Sequence, residues 1–133
     1  MQVTFQNLKV IKNKKGNLIK IYSKRDFFRR IAESYISEIN PNKIKAWRFH
    51  KKTNQKLVLI EGNCIVVVFS KKKIKKFKLS YKKPKLLQIP KKTWYGFKNL
   101  SSKKKVKILN FIDKKYDENE IERKKINEIR YNW

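Results

Sequence analysis

Apolar and polar residues alternate along most of the chain, which is the pattern of half-buried β-strands. From residue 44 onward this two-residue period predicts six strands: Ile44–His50, Leu57–Ile60, Ile65–Phe69, Ile74–Leu79, Leu86–Ile89 and Val106–Ile112. Nearer the start, residues 3–22 predict a hairpin, and Tyr35–Ile39 alternates as a further strand. Short strands at regular intervals predict an all-β fold, either a closed barrel or a double-sheet jelly roll.

Turn-forming residues separate these segments. Asn13–Asn17 contains a glycine and predicts the turn of the first hairpin, whereas Asn40–Asn42 turns the chain after the next strand. Glu61–Asn63 predicts a tight turn between two strands. The lysine runs Lys71–Lys73 and Lys103–Lys105 also lie between apolar segments, so we expect them in turns that keep charge at exposed edges.

Two short stretches instead show helical spacing and predict peripheral helices. Ser23 is a candidate N-cap for a helix over Lys24–Ala32. Near the end of the chain, Asp117 and Glu120 resemble a capping box, and the apolar residues from Ile121 to Ile129 recur at helical intervals.

Length and composition limit the class of protein. The 133 residues suit one domain with one core. No apolar run reaches the roughly 20 residues that a membrane helix requires, and the first residues lack the apolar segment of a signal peptide. Cys64 is the only cysteine, so no intrachain disulfide can form. These features predict a cytoplasmic protein in a reducing compartment, without membrane insertion.

The net charge of +27 suggests an anionic partner. Nucleic acid, anionic lipid and phosphorylated small molecules all satisfy that description. Lysine also far outnumbers arginine, and lysine, isoleucine and asparagine are abundant together, as an AT-rich genome would produce. Charge therefore leaves both readings open, and a nucleic-acid binder remains one hypothesis.

Metal catalysis and glycine-rich phosphate loops fit the composition poorly. A catalytic zinc or iron site uses about three His, Cys or carboxylate ligands, and the chain has one histidine and one cysteine. Its three glycines are scattered and cannot form a phosphate-binding loop.

The most informative segment is Lys45–Lys52. On a strand, Arg48, His50 and Lys52 share one face, while Trp47 lies on the other with its alternate neighbours. If the first face lines the interior, two cations surround an imidazole, which favours its neutral, proton-accepting form. The alternative is a surface strand whose basic residues face water.

Two aromatic segments add candidates. A proline-led turn precedes Trp94 and Tyr95, and such aromatics at a barrel mouth can stack on a ring or donate a proton. Tyr116, just before the second predicted helix, is a third candidate. Ordinary packing is the alternative for each of them.

These segments, in this order, resemble the sugar-nucleotide cupins, a group that includes the dTDP-4-dehydrorhamnose 3,5-epimerases and the dTDP-4-keto-6-deoxyglucose 3,4-ketoisomerases. Ala46–Lys52, followed by Leu57–Gly62, is similar to the ketoisomerases' Gly-aromatic-His-x-His-Lys-Lys stretch with its strand and glycine turn. Ile89–Phe97 stands where the epimerases carry a proline-led loop ending in His-Gly-Phe. Tyr116 and Asp117 look like the tyrosine region near the family's sugar site.

The resemblance implies a single cupin-like domain over residues 1–133, built as a jelly roll and associated as a homodimer. It implies a nucleotide-diphosphate 4-keto-6-deoxy sugar as substrate, no metal or other cofactor, and a role in surface polysaccharide synthesis. The reaction removes a proton alpha to the ketone, stabilises the enolate and returns a proton elsewhere. On this basis the predicted catalytic and substrate-binding residues are His50, Tyr95 and Tyr116, and Arg48, Lys52, Trp47 and Trp94.

Departures from the family pattern matter as much as the matches. Arg48 stands at the position of the epimerase base, and arginine stays protonated. The epimerases' catalytic tyrosine falls at about Ile108, and Tyr95 replaces the histidine before Gly-Phe. His50 is therefore the predicted base of an epimerase or ketoisomerase. The alternative is an inactive relative that binds a nucleotide sugar or a partner protein.

Overall fold

Antiparallel strands form almost all of the regular structure. The structure is a computed structural model that describes residues 2–21 and 30–133. Its strands, in chain order, are β1 (Thr4–Asn7), β2 (Lys9–Ile11), β3 (Leu18–Lys20), β4 (Glu33–Ile39), β5 (Ile44–His50), β6 (Gln55–Glu61), β7 (Asn63–Ser70), β8 (Lys73–Ser80), β9 (Lys85–Ile89), β10 (Trp94–Asn99), β11 (Val106–Ile112) and β12 (Ile121–Arg123). Two single-turn 3₁₀ helices span Glu118–Glu120 and Ile126–Glu128.

The strands form two five-stranded sheets and one small hairpin. The first sheet has the order β1-β9-β6-β11-β4, and the second has the order β12-β5-β10-β7-β8. Strands β2 and β3 pair only with each other. Apart from the β7–β8 hairpin, neighbours in each large sheet come from non-consecutive strands of the chain, as in a jelly roll. The predicted all-β, double-sheet class is therefore confirmed.

The interior between the two sheets changes character from one end to the other. Inward-facing residues at one end are apolar: Ile39, Leu59, Val66, Leu79 and Val106. Asn99 lies at this end, where its amide nitrogen donates to three backbone carbonyls, so its burial carries no unpaired donor. At the other end the same strands turn polar side chains inward, and the candidate site lies there.

A second apolar cluster covers the outer face of the second sheet. This outer cluster consists of Trp47, Val67 and Ile129, with Ala46, Ile65, Phe69, Trp94, Tyr131 and Trp133 packed against them. The segment after β12 folds back over the sheet, and its Ile126 carbonyl accepts a hydrogen bond from the Trp47 indole at 3.1 Å. The indole of Trp133 packs against that of Trp47, with a ring-centre distance of 5.2 Å.

Most predicted strands and turns are confirmed. The strands β5 and β11 have the predicted bounds, and the other four of the predicted six are each longer by one to three residues. Gly62 has a positive φ of 92° in the tight turn after β6, which glycine adopts without strain. Lys71 and Lys72 both have positive φ, as the two-residue hairpin between β7 and β8 requires.

Three expectations need correction. The predicted hairpin over residues 3–22 is half right, because β1 pairs with β9 and only β2 and β3 form a hairpin. The helix predicted from Ile121 is wrong, because β12 begins there and pairs with β5. The aromatic segment that begins at Trp94, after the proline-led turn, is a central strand, which is not among the predicted strands. The helix predicted over Lys24–Ala32 falls largely on residues 22–29, outside the described residues, and its last three residues are not helical.

Candidate active site

Six polar or charged residues lie on the inner faces of the sheets at the polar end of the sandwich, five of them at least partly buried and Arg48 exposed at the border. They come from both sheets: Tyr35 on β4, Arg48 and His50 on β5, Gln55 on β6, Tyr95 on β10 and Asn110 on β11. The register explains the grouping, since Tyr95 is the partner of Arg48 across one sheet and Asn110 is the partner of Tyr35 across the other. Directly opposed residues point to the same face, so the pairing turns all four side chains toward the interior.

His50 joins two further side chains in a buried chain of hydrogen bonds. Its Nδ1 lies 2.9 Å from Oε2 of Glu120, and its Nε2 lies 2.8 Å from the hydroxyl of Tyr95. The other carboxylate oxygen of Glu120 accepts from the backbone N–H of Thr53 at 3.0 Å. His50, Tyr95 and Glu120 are only 6%, 4% and 5% exposed, so these bonds form almost out of contact with water.

This arrangement fixes which imidazole nitrogen is basic. A carboxylate can only accept hydrogen bonds, so the proton of the neutral ring lies on Nδ1, facing Glu120. Nε2 then carries no proton, and its lone pair accepts a hydrogen bond from the Tyr95 hydroxyl. If Nε2 takes up another proton, the resulting imidazolium lies against the negative charge of Glu120, which stabilises it. The group is built to accept and return one proton.

Tyr95 is held as a proton donor. Burial raises the pKa of its phenol to about 12, with the Gln55 amide and the Arg48 charge opposing the shift. The hydroxyl therefore keeps its proton at neutral pH and donates it to Nε2 of His50. The two rings are nearly parallel, with centres 5.7 Å apart.

A network of amides continues from this chain into the first sheet. The Asn110 amide nitrogen donates to the Tyr35 hydroxyl and to Oε1 of Gln55, each at 3.0 Å. Oδ1 of Asn110 and Nε2 of Gln55 are buried, and neither has a hydrogen-bond partner among the described residues. The Gln55 amide is close enough to Tyr95 to affect the pKa of its phenol, but no hydrogen bond of ordinary geometry joins them.

Charged groups border the site on its exposed side. Arg48 is solvent exposed, and its positive charge acts on Tyr35, Tyr95 and Glu118. Burial raises the pKa of Tyr35, which the charge of Arg48 partly offsets. Glu118 accepts hydrogen bonds from Arg123 and from Tyr116, and these bonds hold the pKa of its carboxyl below the ordinary value.

The structure separates the predicted site residues into two groups. It brings His50 and Tyr95 into direct contact and leaves Arg48 beside them. Tyr116 is half exposed and is bonded to Glu118, so it lies at the border of the site rather than beside the imidazole. Lys52 lies in the bend that follows β5 and is exposed, because the strand ends at His50 and the predicted shared face ends with it.

The two tryptophans do not reach the interior. Trp47 and Trp94 belong to the outer cluster, on the face of the second sheet opposite to Tyr95. For Trp94 the cause is strand alternation, since it precedes Tyr95 on β10. These positions do not support the predicted stacking of either indole on a ligand in the interior.

Sequence reasoning missed three residues of the site. The capping-box pattern predicts a helix-capping role for Glu120, whereas the short 3₁₀ turn and β12 place it beside His50. Gln55 and Asn110 were not singled out, although each is a polar residue on the inward phase of an otherwise apolar strand. That interruption of an apolar face is the signal that identifies such positions.

The described residues contain no group of three or more His, Cys, Asp or Glu side chains placed to hold a metal ion. In the same part of the chain, no helix has the length and apolar character needed to cross a membrane.

The double-sheet β-fold agrees with the resemblance to the sugar-nucleotide cupins, and comparisons with known proteins support the same group. The chain belongs to the family described as FdtA: WxcM-like, C-terminal, whose model matches residues 1–129. No curated protein sequence matches it significantly.

Solved structures of similar fold are enzymes of dTDP-sugars. A dTDP sugar isomerase from Desulfovibrio desulfuricans G20 is 24% identical with a TM-score of 0.84, over 94% of this chain and 85% of that one. The WlaRB TDP-quinovose 3,4-ketoisomerase from Campylobacter jejuni is 26% identical with a TM-score of 0.78, over 92% of both chains. QdtA, a sugar 3,4-ketoisomerase from Thermoanaerobacterium thermosaccharolyticum in complex with TDP, is 22% identical with a TM-score of 0.77, over 92% of this chain and 88% of that one. Matches to dTDP-4-dehydrorhamnose 3,5-epimerases have 18% and 17% identity. The group suspected from the sequence is thus confirmed.

Proposed function

We propose that this protein is an isomerase of a nucleotide-diphosphate 4-keto-6-deoxy sugar that acts by removing the proton alpha to the ketone, in the synthesis of a surface polysaccharide. The observation that carries the proposal is the buried chain of hydrogen bonds from Glu120 through His50 to Tyr95. Such a chain supplies a base and an acid at one point of the interior, which enolisation of a ketone requires.

The proton balance is simple. Nε2 of His50 takes the proton from the carbon beside the ketone, the electrons of the C–H bond form a carbon–carbon double bond, and the carbonyl electrons move to oxygen. Glu120 stabilises the imidazolium through Nδ1. The enolate oxygen takes up the proton of the hydroxyl on the adjacent carbon, which is the carbon that lost its hydrogen. The former carbonyl carbon then takes a proton from His50 or from the Tyr95 hydroxyl, and the electrons of the carbon–carbon double bond form that new C–H bond while the adjacent oxygen becomes the ketone.

Ketoisomerisation is better supported than double epimerisation. The position that resembles the epimerases' catalytic tyrosine holds Ile108, which is 1% exposed within the apolar core and has no proton to give. The position that resembles their base holds Arg48, which stays protonated. The hydrogen-bonded pair of His50 and Tyr95 therefore remains, and a base and an acid at one point are sufficient for moving a ketone by one carbon.

Arg48 is the proposed anchor for negative charge. It is exposed at the border of the site and directly opposes Tyr95 across the β5–β10 pairing. A guanidinium in this place can bind the diphosphate of the substrate or the developing enolate. Lys52 and Tyr116 lie farther from the imidazole, so their proposed contributions are to substrate binding at the border.

The test is solvent deuterium exchange at the carbon beside the ketone. We expect the protein to exchange that position in TDP-4-keto-6-deoxyglucose, observed by NMR in D₂O, and His50→Asn to abolish the exchange. Lys51→Asn is the matched control, because Lys51 is adjacent but exposed. Calorimetric binding of TDP by both variants would show that each is folded.

Two results would overturn this proposal. Full exchange by the His50→Asn variant would remove His50 from the role of base. Tight binding of TDP by the unaltered protein, without exchange over hours, would instead support an inactive relative that only binds the nucleotide sugar.

The homodimer and the cytoplasmic location that the sequence implies stay predictions. Ile36 is 55% exposed on β4, which pairs only with β11 among the described strands, and this edge is a suitable surface for a second copy. Sedimentation equilibrium of the protein would give the mass that decides between monomer and dimer.

A further inference from the structure

The amide pair of Gln55 and Asn110 stands out among the buried polar groups of the described residues, because it is left incompletely bonded inside the sandwich. The two side chains are 2% and 5% exposed. Only one hydrogen bond joins them, and it leaves Nε2 of Gln55 and Oδ1 of Asn110 unpaired. Each unpaired buried polar atom destabilises the fold by about 1 to 3 kcal/mol. Two such atoms on neighbouring side chains therefore indicate a function that requires them.

We propose that this amide pair binds the α-hydroxy ketone of the substrate, with Gln55 donating to the ketone oxygen and Asn110 accepting from the neighbouring hydroxyl. This inference rests on the proposed function and names the part of the sugar that the site selects.

The available groups match that ligand. An α-hydroxy ketone presents one carbonyl oxygen, which accepts, and one adjacent hydroxyl, which donates. The amide pair offers one NH₂ group and one carbonyl oxygen. Because the Asn110 NH₂ donates to Tyr35 and to Gln55, the free donor is the NH₂ of Gln55 and the free acceptor is Oδ1 of Asn110.

The pair also lies where the reaction would take place. Both residues are on the inward face of the first sheet, opposite the second sheet that carries His50 and Tyr95. The Gln55 amide is close enough to Tyr95 to oppose the effect of burial on the pKa of its phenol. The Gln55 amide thus lies near the hydroxyl that donates to Nε2 of His50, the predicted base.

The amide pair is held rigidly enough to distinguish a ligand that has the hydroxyl from one that lacks it. Both hydrogens of the Asn110 amide are engaged, one by the Tyr35 hydroxyl and one by Gln55. Oδ1 is therefore fixed in direction, and turning it away would break both bonds. A site that accepts a hydroxyl in this way rejects an analogue without it, because its buried oxygen is then left unpaired.

The experiment compares two probes by calorimetry, TDP-4-keto-6-deoxyglucose and its counterpart lacking the 3-hydroxyl, in the His50→Asn background so that neither is converted. We expect the hydroxylated probe to bind at least about tenfold more tightly. Asn110→Leu should remove that preference, whereas Gln55→Met should weaken both probes by a similar factor, because both carry the ketone. Neither variant should change the affinity for TDP alone.

Gln88→Met is the matched control, because Gln88 lies in the same sheet and bonds the Gln2 backbone at the exposed side. Equal affinities for the two probes in the His50→Asn protein would overturn the inference without any further variant. An unchanged preference for the hydroxylated probe after Asn110→Leu would overturn it as well. Either result would mean that the unpaired atoms bond water instead of the sugar. The two proposals fail separately. Absence of deuterium exchange would refute the proposed function, whereas the binding measurements decide this inference whether or not the protein exchanges deuterium.

Discussion

Glu120 and His50 are 70 residues apart in the sequence, and yet a carboxylate oxygen of one lies 2.9 Å from Nδ1 of the other. The contact arises because β12 pairs with β5, opposing Ile121 to His50 and bringing the preceding residue over the ring. A carboxylate buried this deeply needs a charged or hydrogen-bonding partner. Here the imidazole and the Thr53 N–H meet that need, and the same contact orients the ring.

Replacing Glu120 by Gln tests whether its charge is used. The amide oxygen can still accept from Nδ1, but the negative charge that stabilises the imidazolium is lost. We expect the deuterium-exchange rate to fall by about 100-fold, within the range found for positioned acid–base groups. Glu122→Gln is the control, because Glu122 is exposed on β12. Equal exchange rates in both variants would mean that Glu120 is only structural.

Removing the Tyr95 hydroxyl should slow the reaction and change the response to alkali. Tyr95→Phe keeps the ring but takes away the donor at Nε2 of His50, so proton return should slow by about tenfold or more. The affinity for TDP should stay the same, because the hydroxyl faces the imidazole. Rapid-quench measurement of product formation, set against TDP calorimetry, separates the two effects.

The alkaline response follows from the raised pKa. Burial raises the pKa of Tyr95 to about 12 from its ordinary value of 10.0. As pH rises through this interval the unfolded chain loses the proton first, so it binds fewer protons than the folded protein and stability falls. The loss is about 2 to 3 kcal/mol for two pKa units. Urea unfolding at pH 9 and pH 12 should show a smaller alkaline loss for Tyr95→Phe than for the parent protein, whereas equal losses would contradict the buried phenol.

The strands were predictable because alternation is a local signal. Each inward apolar residue of β11, such as Val106 and Ile108, is separated from the next by one outward residue, and that period needs no tertiary information. The same period showed that Arg48 and His50 share a face. Alternation does not show which face of β5 is interior, because the face that carries Trp47 is also buried, under the outer cluster.

The remaining errors arise from long-range pairing. Glu120 and Ile121 carry a good capping and helical pattern, but the open edge of β5 offers backbone partners to an extended segment, and tertiary pairing overrides local propensity. The proline-led turn before Trp94 is a local signal, but the sequence does not show that β5 and β7 enclose β10 on both sides. No local pattern contains that information.

Cys64 provides a probe of the apolar end. Its thiol is buried between the sheets, and burial raises its pKa to about 12. The thiolate is the reactive form, so the native protein should react with a disulfide reagent at pH 8 far more slowly than a free cysteine. The rate should rise to that of the unfolded chain in denaturant. Fast labelling without denaturant would show that this end of the sandwich opens.

Gly96 is placed where the second sheet has no room for a side chain. A Cβ there would lie 2.7 Å from the Cβ of Ala46 and 2.9 Å from the Trp133 indole. Gly96→Ala should therefore destabilise the fold by about 1 to 3 kcal/mol, measured by urea unfolding. Because Gly96 follows Tyr95 at the register shift between β10 and β5, the displacement should also slow deuterium exchange.

Adding Ala46→Gly removes the shortest contact and should restore part of both losses. A double variant no better than Gly96→Ala alone would place the conflict at Trp133, and a stable, active Gly96→Ala protein would refute this close packing.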